Sequence, residues 1–477
     1  MSYTITLRTS FIFLLAASFL IPLRLQSQAN NYAVKNISVI SMNREILLNN
    51  QTLLISKGKI QKIGNSDKIR IPDGYTIIDA MGKYIMPGLF DMHTHFLYEQ
   101  GEHKNTCDKE LKLMLANGVT TARIMAGHPA YLEARDNVNK GKWQGPELFI
   151  VSPQLAGQWP FPQEFKNYEL TDTKEKAIAA VKKFKQEGYS EIKITFKIDP
   201  EVYRSIIETA KKESIKVTGH VGPLVKLPAA LTAKQQVEHM DEFIEMLLPD
   251  TSYNHGQSVS DYNIYSKNAW ATVPHLDESK IAGLAEKVKQ AGLYVTPTNY
   301  FFISSFGMLP SDEEIKQMPD YDFIPANLKE EKWQYRQGYM KKMEPDASRK
   351  KYVSIRYKMV YALWKAGVPL MAGSDAPEFF NVTGISLHGE LKHMVEAGLT
   401  PFAALQTATV NPAQYLGLRK KTGTIESGKQ ADLLILDKNP LIDINNTRTI
   451  SGVFKNGVYY DSNKIVQLLR DAKSLAD

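Results

Sequence analysis

His93 and His95 stand one residue apart in Pro87-Gly-Leu-Phe-Asp-Met-His-Thr-His95, and on a strand the side chains at i and i+2 share a face. Both imidazoles can then reach one divalent ion while Thr94 turns away, and neutral imidazole is the commonest protein ligand for zinc and its neighbours. The pair is half a metal site, so further ligands are expected downstream. In Glu191-Ile-Lys-Ile-Thr-Phe196, alternation sets Ile192, Ile194 and Phe196 on one face and Lys193 with Thr195 on the other. With the apolar set packed under helices, Lys193 points inward. Burial lowers the pKa of such an amine, and the neutral form can take up carbon dioxide as a carbamate, a bidentate anion able to bridge two metals. Ile215-Lys-Val-Thr-Gly-His220 ends on His220 directly before the loop signal Val221-Gly222-Pro223, and Val237-Glu-His239 ends on His239. Leu370-Met-Ala-Gly-Ser-Asp375 places an acid just beyond an apolar run, where capping the next helix is the competing role.

These residues need a scaffold that gathers strand ends. Between 88 and 418, strand-like runs at 119–125, 148–152, 191–196, 215–220, 235–239, 294–298 and 369–373 alternate with helical periodicity at 174–187, 200–213, 278–291 and 357–366. With the strand that carries the histidine pair, the strands number eight, the signature of a (β/α)8 TIM-like barrel whose catalytic groups lie at the C-terminal strand ends. Connections 240–278 and 300–357 are too long for simple barrel loops and read as lids, substrate walls or surface decoration. Short alternating stretches punctuated by glycine at 30–87 and again at 419–477 predict a small β-sandwich domain built from both chain ends.

The chain has 477 residues, 43% hydrophobic and 23% charged, as in ordinary soluble enzymes. Residues 1–29 differ: Arg8 precedes an apolar run at 11–23, followed by Ser27-Gln28-Ala29 with small residues at the cleavage positions. This reads as a cleavable signal peptide, and the run is short of the ~20 residues that a spanning helix needs. The expected address is periplasmic or secreted, without a stable membrane anchor. The formal charge of +7 includes Arg8 and Arg24, so the mature chain carries +5, spread along its length. No nucleic-acid partner is implied. Cys107 is the only cysteine, which excludes an intrachain disulfide.

Taken in order, Ile85-Met-Pro-Gly-Leu-Phe-Asp-Met-His-Thr-His95, Lys193, His220, His239, Gly373-Ser-Asp375, Ala404-Leu-Gln-Thr-Ala-Thr-Val-Asn-Pro-Ala413 and Gly423-Thr-Ile-Glu-Ser-Gly-Lys-Gln-Ala-Asp432 resemble the amidohydrolase superfamily of metal-dependent hydrolases. Within it, the sequence is most similar to the branch of imidazolonepropionase-like proteins and Xaa-Pro dipeptidase relatives. The resemblance implies that His93, His95 and Asp375 hold one divalent metal ion, that His220 and His239 hold a second, and that Lys193 bridges them as N6-carboxylysine. It further implies that Asp375 accepts a proton from the attacking water and delivers it to a leaving amine. Zinc suits the histidines; manganese, cobalt or iron fit the same mixed shell.

Tyr300, after the seventh strand, and His128, after the second, are the candidates for substrate contact. His103 shares the place of His128 near a strand end, and His255 and His275 lie in a long connection. His388, with Glu390, marks a surface helix start or a supporting role. The expected reaction is hydrolysis of a small-molecule amide or peptide C–N bond in a dipeptide, N-acyl amino acid or cyclic amide. Alternatives are a mononuclear imidazolonepropionase-like hydrolase, an esterase or lactonase, and a metal-binding protein without catalysis. A homo-oligomer is left open.

Overall fold

The computed structural model describes residues 31–96, 103–157, 167–195, 197–240, 242–249, 267–340 and 346–474. The expected signal peptide, His255 and parts of both long connections lie outside them. Seven short strands follow in chain order: Leu89–Thr94, Val119–Ile124, Glu147–Ile150, Glu191–Ile194, Lys216–Gly219, Gln236–Glu238 and Val295–Thr296. The first three pair in parallel, as do the last four. Backbone bonds from Ser190 N–H to Ile150 O (2.8 Å) and from Ser152 N–H to Glu191 O (2.9 Å) join the two groups.

The eighth predicted strand is reduced to a single parallel bridge between Leu370 and Val295. Its backbone still bonds on both sides. Met371 N–H reaches Val295 O, and Met92 N–H of the first strand reaches Ala372 O, each at 2.9 Å. The architecture is a TIM-barrel-like α/β fold with parallel sheets, and each sequence-identified ligand lies at or just past a strand's C-terminal end.

Local chemistry explains why helices intervene. Thr173 accepts the Lys176 N–H to start Lys174–Glu187, which stops at Gly188 with φ +86°, a left-handed cap that costs glycine nothing. Asp199 accepts the Glu201 N–H, and Pro200 occupies the first turn of Pro200–Lys212. Both helices press Val181, Phe184, Val202 and Ile206 into the same apolar core as Ile192 and Ile194 of the fourth strand. Those two isoleucines face the helices, so Glu191 and Lys193, on the other face, turn inward.

The chain ends contribute to one sheet of eight strands, in the order Val458–Asp461, Ile450–Lys455, Leu433–Leu436, Tyr84–Pro87, Asn31–Ile40, Leu47–Ser56 and Lys59–Asn65, with Tyr75–Asp79 also on Asn31–Ile40. Tyr84–Pro87 runs antiparallel to Leu433–Leu436, so the N-terminal and C-terminal parts meet at the entry to the first parallel strand.

Two readings of the sequence change. The aromatic segment after the seventh strand, expected to be a loop, is a π-helix, Tyr300–Met308, with Phe301, Phe302 and Phe306 buried. His388 is no surface helix start: it lies buried in helix Ile385–Glu396. Its Nε2 meets Asn117 O at 3.2 Å and its Nδ1 meets Thr447 Oγ1 at 2.9 Å. The helical periodicity located this residue, but only the return of the C-terminal segment buries it.

Burial and the Arg448 charge push His388 down to about 3, whereas the unfolded chain titrates near about 6.5. As pH falls below that value the unfolded state takes up the proton first, so the stability tied to neutral His388 is present above pH ~6.5 and is lost on acidification, by about 1.4 kcal/mol per pH unit. Urea unfolding at pH 7 and pH 5 should therefore show a smaller loss in His388→Gln than in wild type. Equal losses in the two proteins would contradict this account.

Candidate metal centre

Period-2 alternation and strand termination place the donors. His93 lies on the first strand, and His95 lies one residue beyond it, its N–H on Ala376 O at 2.7 Å. Lys193 is on the fourth strand, His220 follows the fifth by one residue and His239 follows the sixth by one. Asp375 N–H bonds His93 O at 2.7 Å, which sets the acid beside the first strand. Three site residues take left-handed backbone without being glycine: His239 (φ +62°), Thr298 (φ +49°) and Asp375 (φ +51°). For a β-branched residue such as Thr298 this is a genuine outlier, and such strain persists only where the surroundings over-determine it.

The side chains converge. Asp375 Oδ1 lies 3.1 Å from His95 Nε2 and 3.4 Å from His93 Nε2, and its Oδ2 lies 3.6 Å from His239 Nδ1. The His93 ring is 5.2 Å from that of His95 and 4.4 Å from that of His239, which stacks on His220 at 4.7 Å. His93, His239 and Asp375 each offer a ligand atom within 4.8 Å of the others'. This trio cuts across the two sets that the resemblance implied, since it joins His239 to His93 and leaves His95 at the Asp375 edge.

Hydrogen bonds decide which nitrogens are offered. Glu238 Oε2 takes the Nδ1 side of His93 at 2.8 Å, so His93 presents Nε2, which is buried and makes no hydrogen bond among the described residues. Thr298 donates its hydroxyl proton to Pro297 O at 2.8 Å and lies 2.8 Å from His239 Nδ1. Thr298 Oγ1 therefore accepts from Nδ1–H, and the His239 lone pair is on Nε2. Burial, then the Lys193 charge and the neighbouring His95 ring, hold His93 well below the usual imidazole range; burial and the adjacent rings do the same to His239. Burial lowers His95 to about 4 against the pull of Glu378. These neutral, outward-facing nitrogens and one carboxylate are the donor set that a borderline divalent metal takes. An unbonded buried Nε2 is costly unless a cation completes it.

Two buried arginines hold this set from behind. Arg123, on the second strand, bonds Met92 O (2.7 Å), Glu238 (2.6 Å) and Glu191 (3.2 Å). Arg356 bonds Asn299 Oδ1 (2.9 Å), Pro297 O (2.7 Å) and His239 O (3.2 Å), and so braces the strained turn at His239. Neither arginine, nor Glu238, was singled out in the sequence. The available signal was Arg123's parity with Thr121, opposite Ala122 and Ile124, which are core residues.

The proposed substrate contacts fare differently. His128 is the N-cap of Pro129–Asn139, and its Nδ1 accepts the Ala130 N–H at 3.2 Å. Tyr300 packs its ring where Gly389 leaves room, 2.2 Å from a hypothetical Cβ there, and its N–H bonds Glu390 Oε2 at 2.7 Å.

The amidohydrolase family model matches residues 84–459. An imidazolonepropionase of Thermoplasma volcanium is 24% identical over 438 residues, covering 88% of this chain and 93% of its own. That of Flavobacterium johnsoniae is 22% identical over 469 residues, covering 94% and 97%. Among solved structures, bottromycin amidohydrolase superposes with TM-score 0.69 at 19% identity, over 94% of this chain and 90% of its own. A Xaa-Pro dipeptidase with bound methionine in the active site does so with TM-score 0.65 at 20% identity, over 91% and 100%. At these identities the structural likeness speaks to the fold.

Gly219 sits where this centre is tightest, with φ +122° and space for a Cβ only 2.2 Å from Ile194 O and 3.0 Å from Lys193 Cδ. Gly219→Ala should lose about 1–3 kcal/mol from backbone conformation alone and displace Lys193 as well. Urea unfolding together with metal content tests this, and a variant unchanged in both would refute the close packing.

Proposed function

The chain belongs to the amidohydrolase family, hydrolases of carbon–nitrogen bonds, and we propose that it is an exported enzyme that cleaves an amide or peptide bond at a binuclear metal centre. The observation that carries this reading is the convergence of His93, His239 and Asp375, with the His220 ring stacked on that of His239 and Lys193 buried on the fourth strand. We assign His93, His95 and Asp375 to one ion, His220 and His239 to the other, and a carbamylated Lys193 between them, with zinc as the ion that best suits the imidazoles. Lys193 is 1% exposed, and burial favours the neutral amine that a carbamate requires.

Bound divalent ions supply a water acidic enough to ionise near neutral pH and a Lewis acid for the substrate carbonyl. The chain's own residues do the rest. Asp375 accepts the water proton on a carboxylate oxygen and returns it to the departing amine, and its backbone bond to His93 O keeps that oxygen at the mouth throughout. The dry strand ends exclude competing solvent and strengthen the charges inside.

Substrates of this reading are a dipeptide, an N-acyl amino acid or a cyclic amide. The imidazolonepropionases and the Xaa-Pro dipeptidase that the chain resembles are the models for the last and the first. The mononuclear alternative has no use for an inward lysine, so the buried Lys193 favours two metals. The same proposal includes a closed eight-stranded barrel at 88–418, supported by the backbone bonds on both sides of residues 370–372. It includes a β-sandwich from 30–87 and 419–477, supported by a separate apolar cluster of Val34, Leu53, Ile60, Leu433 and Phe454. Export rests on residues 1–29. Among the described residues no helix is long and apolar enough to cross a membrane.

Elemental analysis of mature protein made with bicarbonate and divalent metal should find about two ions per chain, and about one or fewer in Lys193→Ala. One ion irrespective of Lys193 would favour the mononuclear reading; none would overturn the enzyme assignment. His220→Asn should lose at least about 10²-fold in kcat/KM toward whichever dipeptide or N-acyl amino acid a screen identifies, because it removes a ligand of the second ion. Unchanged hydrolysis would take His220 out of the centre.

A further inference from the structure

A carboxylate with no part in the chemistry lies beneath His93. Glu238 is fully buried at the end of the sixth strand, and both its oxygens are engaged. Oε2 meets His93 Nδ1 at 2.8 Å, while Oε1 takes Arg123 Nη2 at 2.6 Å and the Thr218 hydroxyl at 2.7 Å. Arg123 also donates Nε–H to Met92 O at 2.7 Å, the carbonyl directly before His93. One guanidinium therefore grips both the backbone that carries His93 and the carboxylate that orients its ring. Arg123 is itself shared with Glu191, whose Oε2 lies 3.2 Å away and accepts the Tyr415 hydroxyl at 2.7 Å. The chain of contacts runs from the metal face to the far end of the strands.

We propose that Glu238, fixed by Arg123 and Thr218, is a positioning residue that sets the tautomer of His93, keeping the proton on Nδ1 and the Nε2 lone pair aimed at the metal. This rests on the reading of the centre as a metal site. A carboxylate can only accept, so it obliges Nδ1 to donate. Partners of this kind, which hold the far nitrogen of a ligating histidine, contribute 10–100-fold to metal affinity. Arg123 also settles the charge: a lone buried carboxylate here would be costly, and the guanidinium 2.6 Å away pairs it.

The geometry makes Glu238→Gln a sharp test because the amide has one satisfied orientation. Turned with its NH2 toward Arg123, it would set donor against donor at 2.6 Å. Turned with its oxygen toward Arg123 and Thr218, it aims NH2 at His93 Nδ1, which must then accept, so the proton moves to Nε2 and the ligand atom is blocked. Arg123 keeps Glu191 and Met92 O in the variant, so its charge is not orphaned.

The experiment is competition between mature protein and a chromophoric chelator for Zn2+, with circular dichroism of the metal-free proteins as the folding control. Wild type should bind; Glu238→Gln should bind 10–100-fold more weakly with its fold retained; Thr218→Val, which removes one of two bonds on Oε1, should lose only a few-fold. Equal affinity in wild type and Glu238→Gln overturns this inference and leaves the proposed function standing. A wild type that binds no Zn2+ overturns both. Should Glu238→Gln fail to fold, imidazole nitrogen shifts of His93 in metal-free wild type, labelled at histidine, decide the matter. The proton found on Nδ1 supports the inference, and the proton on Nε2 sinks it.

Discussion

The rest of this structure depends on the desolvation of His93. Its Nε2 is buried and makes no hydrogen bond among the described residues, and an imidazole nitrogen left so in a dry interior is unfavourable by about 1–3 kcal/mol. Such a nitrogen persists only if its ring cannot rotate to find water and if a cation completes it. The structure meets the first condition with a buried carboxylate, a buried guanidinium and a strand backbone that fix the ring from behind. The donor set around it suits the second.

The same logic extends to the other ligands, with different means. His239 sits past the end of a strand in left-handed backbone, where nothing in the parallel ladder holds it. Thr298 and Arg356 supply that hold, one at the ring and one at the carbonyl. Asp375 is held through its backbone against His93 and its side chain against His95. Short strands and strained turns at one end of a parallel sheet are thus compatible with a rigid centre, because the rigidity comes from buried side-chain bonds beneath the site. Packing alone would not set which nitrogen each ring presents.

Much of this was legible in the sequence because two periodicities do most of the placing. The period of 2 told which way Lys193 points, and strand-terminating loop signals told that His220 and His239 close their strands. Helical periodicity at 174–187 and 200–213 marked helices that the structure places at Lys174–Glu187 and Pro200–Lys212. What escaped notice was contact between distant segments. Arg123 and Glu238 lie 115 residues apart, and a charge in an otherwise apolar strand looks alike whether it is plugged into a partner or turned to solvent. The burial of His388 is hidden for the same reason, since its partners Thr447 and Asn117 come from two other parts of the chain. Tyr300 and His128 lie near strand ends as their place in the sequence implies, one opening a π-helix against Gly389 and the other capping a helix N-terminus.

A division of labour follows between the buried ion pairs and the histidines above them. Beneath the histidines, Arg123, Glu191, Glu238 and Tyr415 form an ionic plug, in which each carboxylate has more than one donor. A plug of this kind is a weak source of stability compared with apolar filling, so its presence argues for specificity of arrangement. At the strand ends, burial holds His93, His95 and His239 below the usual imidazole range, so these donors are neutral. Hydrolysis needs one carboxylate free to gain and lose a proton beside donors that stay neutral as it does so. Asp375 Oδ1 stands there 3.4 Å from His93 and 3.1 Å from His95, while Glu238 and Glu191 below it are locked to Arg123 and to hydroxyls. In the proposed reaction a carboxylate so placed carries the proton between water and a leaving amine, and that is the role we assign to Asp375.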